Sequence, residues 1–219
     1  MASFLITCCN ATCAIPEAQR ELFKGSEDLV TSPEGWEPGS LNLAQGLAMK
    51  LSTPLIHGDV TRLLINLEEV GDKQWSRFSK KIPEGSRSRL GDRHNQKFKH
   101  AIKGRLEEDF KRNDLIIHLD IHTAPIAEGK ILFEYTGDSS AKTFVEKVIS
   151  SMPEKELDLE ACSLTKPNGL TKWLLNEDHD GSLGIIRITV SQTFFLKSIP
   201  LRWETVKKSL IKSIASTTI

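Results

Sequence analysis

The chain has 219 residues, enough for one domain (1–219) with a sizeable core and tight for two. Charged residues make up 26%, and Lys plus Arg equals Asp plus Glu at 29 each; the zero formal net charge fits neither a disordered chain nor a global electrostatic case for binding nucleic acid. No apolar run reaches the roughly 18 residues of a membrane span. Met1 to Cys9 has neither the basic start nor the apolar length of a signal peptide, so a cytoplasmic protein is expected.

Phe4–Cys8 is a short apolar run of the kind that forms a buried strand. After Pro38 and Gly39, the residues Leu41, Ala44, Leu47, Ala48 and Leu51 recur at helical spacing and predict a core-facing helix. Leu63–Leu67 reads as a second buried strand. The stretch from Asp72 to Arg93, with seven basic residues against three acidic ones, reads as a loop-rich, solvated insertion. A helix from Lys97 to Arg112 buries Phe98, Ala101, Ile102, Leu106 and Phe110.

Leu115–His122 carries the most information. Leu115, Ile117, Leu119 and Ile121 fall on one face of a strand, and Ile116, His118, Asp120 and His122 on the other. A strand at Ile131–Tyr135, a helix at Ser139–Ser151, a strand at Gly184–Val190 and a helix from Trp203 to Ile214 follow. Strands separated by helices imply parallel βαβ units, hence an α/β fold, a three-layer α/β/α sandwich with a mostly parallel central sheet. Ligands in such sheets bind beyond the carboxyl ends of the strands.

His118, Asp120 and His122 on one strand face suit either a metal site or an imidazole with its carboxylate orienter. Cys8, Cys9 and Cys13 crowd together while Cys162 stands alone, which argues for free thiols or metal ligands rather than disulfides. Cys9 and Cys13 could join His122 as ligands, or fill space as small hydrophobes. His57, His94, His100 and His179 carry no spacing signal.

Six segments in order resemble the N-formylglutamate amidohydrolase family: Leu5–Cys8 leading to Ile15-Pro16, Trp36-Glu-Pro-Gly-Ser-Leu41, Thr61-Arg-Leu-Leu-Ile65, His118-Leu-Asp-Ile-His122-Thr123, Asn168-Gly-Leu-Thr171 and Val190-Ser-Gln192. The resemblance implies a zinc-exopeptidase-like fold, a zinc cofactor, and metal-dependent hydrolysis of a linear amide bond. His122 matches the family's second metal-binding His.

Three departures follow from the same comparison. The family's first ligand His is Asn10 here, and a carboxamide is a poor zinc ligand beside imidazole or thiolate. Where the family places a clamping Arg for the substrate carboxylate, this chain has Glu68-Glu69, which would repel an acidic substrate. The glutamates of the late strand align with Arg187 and Thr189, neither of which can act as general base.

The resemblance with these departures implies a diverged protein with lost or reduced catalysis. The alternatives are an active hydrolase that uses Asn10, Cys13 and His122 as ligands with Asp120, Glu68 or Glu69 as base, or a non-catalytic binding protein. Arg62 and Arg187 would bind an anionic group in the cleft, or else pair with Glu68 and Glu69. A small-molecule ligand is the expected partner, with neither nucleic acid nor membrane.

Overall fold

In the computed structural model, residues 3–136, 139–152, 157–196 and 200–217 are described. In chain order the regular elements are β1 (Ser3–Cys8), α1 (Glu27–Thr31), α2 (Ser40–Leu51), β2 (Leu55–His57), α3 (Glu84–Leu90), α4 (Lys97–Phe110) and β3 (Leu115–Ala124). They continue with β4 (Lys130–Tyr135), α5 (Ser139–Ser151), β5 (Asp158–Ser163), α6 (Gly169–Asn176), β6 (Ser182–Ser191), α7 (Thr193–Leu196) and α8 (Pro200–Ser216). The strands form one sheet in the order β2-β1-β3-β6-β4-β5, parallel throughout except between β4 and β6. This is the α/β architecture expected from the alternation of strand and helix patterns.

Each face of the sheet is covered by helices, and the alternation of side chains along the strands decides what lies on which side. Ile6, Ile117, Leu119, Ile121, Ile186 and Ile188 pack against α2, α5 and α8 through residues such as Leu47, Phe144 and Leu210. Leu5, Ile116 and Ile185 face the other way, toward Ile102 and Leu106 of α4 and Leu170 and Leu174 of α6. Burying a Leu, Ile or Phe side chain fully contributes about 1.5–3 kcal/mol each, so these two clusters hold the layers together. His118, Asp120 and His122 share the face of Ile116 and therefore lie on the α4 and α6 side, toward the carboxyl end of β3.

Two expectations need correction. Leu63–Leu67 is not a strand: Leu64 and Ile65 both bond back to the Thr61 carbonyl, Glu69 to that of Asn66, and the run is buried as a series of turns. The second strand is β2, three residues long at the sheet edge. Its half-buried Leu55 and Ile56 form too short a run to register as a period. The insertion is also more ordered than expected, since 3-10 turns at Gly71–Gln74 and Ser79–Lys81 lead into α3. A π-helical turn at Gly91–Gln96 then joins α3 to α4. Among the described residues, no helix is long and apolar enough to cross a membrane.

Candidate functional site

The polar centre forms where β1, β3 and two turns meet. After β1 the chain passes through Asn10, whose carbonyl accepts the Glu37 backbone N–H at 2.9 Å. Glu37 is then locked to the first turn of α2, because the Ser40 hydroxyl donates to its carbonyl at 2.7 Å. Gly39 adopts a left-handed φ of 86° at the helix entry, a conformation glycine takes without a Cβ penalty. These bonds aim the Glu37 carboxylate at His122.

Glu68 is set by a different contact. The Leu170 N–H donates to the Glu68 carbonyl at 2.9 Å, and a Cβ on Gly169 would lie 3.1 Å from that same oxygen and 2.9 Å from the Val70 nitrogen, so only glycine fits this approach. Asn168 caps α6 by accepting the Thr171 N–H at 2.8 Å and donates its own amide to Glu68 Oε1 at 3.1 Å. One side chain thus starts a helix and orients a carboxylate.

At the centre, Glu37, Glu68 and His122 each offer a ligand atom, all within 4.8 Å of one another. His122 is held at both nitrogens, with Nδ1 3.0 Å from Glu37 Oε2 and Nε2 2.8 Å from Asp120 Oδ2. Glu68 Oε1 lies 3.6 Å from Nε2. Burial alone would lower the His122 pKa, but the carboxylates of Asp120, Glu37 and Glu68 outweigh it and hold the value well above the usual imidazole range. Burial likewise would raise Asp120, yet the charge of His122 and its hydrogen bond keep the carboxyl below the usual range.

Behind the centre runs a second chain of bonds. Thr7 donates its hydroxyl to Asp120 Oδ1 at 2.8 Å, and His118 Nε2 lies 2.7 Å from the same hydroxyl oxygen. With the Thr7 proton committed to Asp120, His118 must carry its proton on Nε2. Burial pushes its pKa down to about 4, so it stays neutral.

The residues singled out from sequence divide clearly. His122, Asp120, Asn10 and Glu68 come together: Asn10 Nδ2 donates to Glu37 Oε1 and Glu68 Oε2, both at 2.9 Å, and Asn10 Oδ1 is buried without a hydrogen-bond partner among the described residues. Cys13 lies apart, lining a groove with Ile15, Phe23 and Val30, and Cys9 is packed into the apolar cluster on the α4 side. Burial pushes the Cys8 thiol up to about 12 and Cys9 well above its ordinary value, so neither reads as a ready thiolate. Glu69 does not join the Glu37, Glu68 and His122 group.

Both arginines are paired, though with partners other than those expected. Arg62 sits on a turn rather than a strand, donates to the Pro33 and Glu34 carbonyls, and lies 3.4 Å from Glu37 Oε1. Arg187, on β6, lies 3.8 Å from Asp120 and 4.0 Å from Glu134. Glu37 and Asn168 carry roles that spacing arguments did not assign. The signal for Glu37 was its place just before the Pro38-Gly39 helix entry, where a side chain is aimed back at the strand ends.

The donor chemistry fits a divalent cation. Two carboxylate oxygens and one imidazole nitrogen suit zinc or manganese, and for a cation held at Nδ1 the Asp120 bond to Nε2 would be the support that metal-ligating histidines typically have. Binding would displace one imidazolium proton and leave the other donated to a carboxylate.

No protein-family model matches the sequence, and no curated protein matches it. Among solved structures, a gene product of Agrobacterium tumefaciens is similar at 17% identity with a TM-score of 0.73, over 98% of this chain and 91% of that one. An N-formylglutamate amidohydrolase from Ralstonia eutropha is similar at 12% identity with a TM-score of 0.64, over 98% of this chain and 93% of that one. The likeness at these identities is one of fold.

Proposed function

We propose that this protein is a diverged N-formylglutamate amidohydrolase-like protein that retains a divalent-cation centre and has lost most hydrolytic turnover. The observation that carries the reading is the convergence of Glu37, Glu68 and His122 with Asp120 behind the ring. The ligand set differs from that expected from sequence: Glu37 and Glu68 stand in for Asn10 and Cys13, while Asn10 donates its amide to both carboxylates.

Bound there, a divalent cation supplies Lewis acidity toward a carbonyl group. The chain's own residues supply little of the rest. Arg187 occupies the β6 position where a proton acceptor is expected, and its guanidinium is turned to Asp120 and Glu134. Arg62 is tied to two main-chain carbonyls and to Glu37, so it is not free to clamp a substrate carboxylate. With Arg62 so tied, a ligand carboxylate has no clamp there, which favours a neutral or cationic small-molecule ligand.

The test is metal analysis and calorimetric titration of the tag-free protein with Zn²⁺ and Mn²⁺, beside a His122→Ala variant and with N-acyl amino acid amides as substrates. About one equivalent bound, lost in the variant, with hydrolysis far below the roughly 1–10³ s⁻¹ of ordinary enzymes, supports the reading. No cation binding in either protein, or turnover within that range, overturns it.

A further inference from the structure

In the basic insertion, a cavity of about 220 Å³ is lined by Gln19, Ser86, Arg89, Leu90 and Arg93. Gln19 comes from the 3-10 turn Glu17–Phe23, and the other four from α3 and the π-helical turn Gly91–Gln96 that follows it. Glu37, Glu68 and His122 take no part in the lining.

Helical spacing builds the wall. Ser86, Arg89 and Arg93 stand three and four residues apart along one helical run, so they share a face. The π-helical turn, a backbone form frequent at functional sites, begins between the two arginines. Arg89 Nη2 donates to the Ser86 hydroxyl oxygen at 3.2 Å, which draws that guanidinium along the wall.

The charged lining consists of two guanidiniums and no carboxylate. Arg89 and Arg93 are exposed, and neither has an ion-pair partner among the described residues. The acids of the insertion, Asp72, Glu84 and Asp92, are absent from the lining, and Asp92, next to Arg93 in sequence, falls on another face. On the facing turn, Glu17 and Glu21 are engaged with Arg20 and Lys24 at 2.9 and 3.5 Å. Like charges one helical turn apart repel, and no carboxylate of the lining offsets that here; a bound anion does.

We propose that this cavity binds the phosphate group of a small phosphorylated polyol. A phosphate monoester is close to a dianion at neutral pH and presents three oxygens to two guanidinium forks, which a single carboxylate cannot match. Gln19 and Ser86 are neutral hydrogen-bonding groups that suit the hydroxyls of the organic part. The lining has no aromatic ring on which a base could stack, which sets a small molecule above RNA. The proposal stands independently of the cation centre.

The probes are glycerol 3-phosphate, inorganic phosphate and glycerol, followed by calorimetry and by the arginine Nε–Hε resonances at about 50 mM salt. Glycerol 3-phosphate should bind saturably with a Kd at or below about 1 mM, inorganic phosphate about fivefold more weakly, and glycerol not at all. Arg89→Gln and Arg93→Gln should each weaken the ester about tenfold at an unchanged Tm, and Arg93→Lys, which keeps the charge without the fork, about threefold. Lys73→Gln removes an equal charge from the insertion outside the lining and should leave binding unchanged, as should His122→Ala. The proposal is overturned by no saturable binding at about 10 mM, by inorganic phosphate binding as tightly as the ester, by Lys73→Gln weakening binding as much as Arg93→Gln, or by binding only to an RNA oligonucleotide or to phosphatidic acid vesicles.

Discussion

Asn168 joins the fold to the site, so its replacement tests the structural reasoning directly. Asn168→Ala removes the cap bond from Thr171 and the donated bond to Glu68. Loss of an N-cap costs about 1 kcal/mol. A hydrogen bond to a buried carboxylate contributes more than a neutral one, but Glu68 keeps 16% of its side chain exposed, and screening reduces this contribution to about 1 kcal/mol. The total of about 2 kcal/mol corresponds to a fall in Tm of about 4–8 °C for a chain of this length.

Asn168→Ser separates the two effects, because serine caps as well as asparagine but is too short to reach Glu68. It should cost about half as much as alanine in urea unfolding. Both variants should weaken Mn²⁺ or Zn²⁺ binding about tenfold, as expected when a group orienting a ligand is lost. A serine variant as stable and as tight for the cation as the wild type would refute the claim that Asn168 organises Glu68.

Stability should also depend on pH with a defined sign. His118 has a pKa of about 4 in the fold against 6.5 in the unfolded chain, so the unfolded chain takes up the proton first and stability is lost as pH falls from about 6.5 toward 4. That difference is worth about 3 kcal/mol. The depressed Asp120 acts in the same direction below its unfolded value of 3.8, whereas the raised His122 contributes stability below 6.5 that is lost as pH rises through its folded value. Urea unfolding at steps from pH 7.5 to 4.5 should show a maximum near pH 6.5, and a flat profile would contradict a buried neutral His118. Thiol labelling with a chromogenic disulfide reagent in native buffer should modify the half-buried Cys13 and Cys162 and spare the buried Cys8 and Cys9, all four reacting in guanidinium. Rapid native labelling of all four would show that the β1 end is open.

The expected helix at Ser139–Ser151 has the bounds found, and β3 shows the two faces expected from its alternation. Period is a local property of a chain, and burial on one or both faces writes it directly into residue order. The mostly parallel sheet followed from the same alternation of elements. Leu63–Leu67 shows the limit of that logic, since a short apolar run says only that a segment is buried, and here it is buried as turns.

The chemistry depended on distance between residues far apart in the chain. His122 was visible on its strand, but Glu37 and Glu68 reach it only because β1 lies beside β3 and because the Gly39 and Gly169 turns bring their backbones close. Charge pairing followed the same rule: the sequence left Arg62 and Arg187 either to bind an anion or to pair with Glu68 and Glu69, and sheet register and loop approach place them beside Glu37, Asp120 and Glu134 instead. Local sequence determined which elements form and which faces they bury. The tertiary structure alone decided which charges meet, because Coulomb and hydrogen-bond energies depend on separations of a few ångströms that no spacing along the chain encodes.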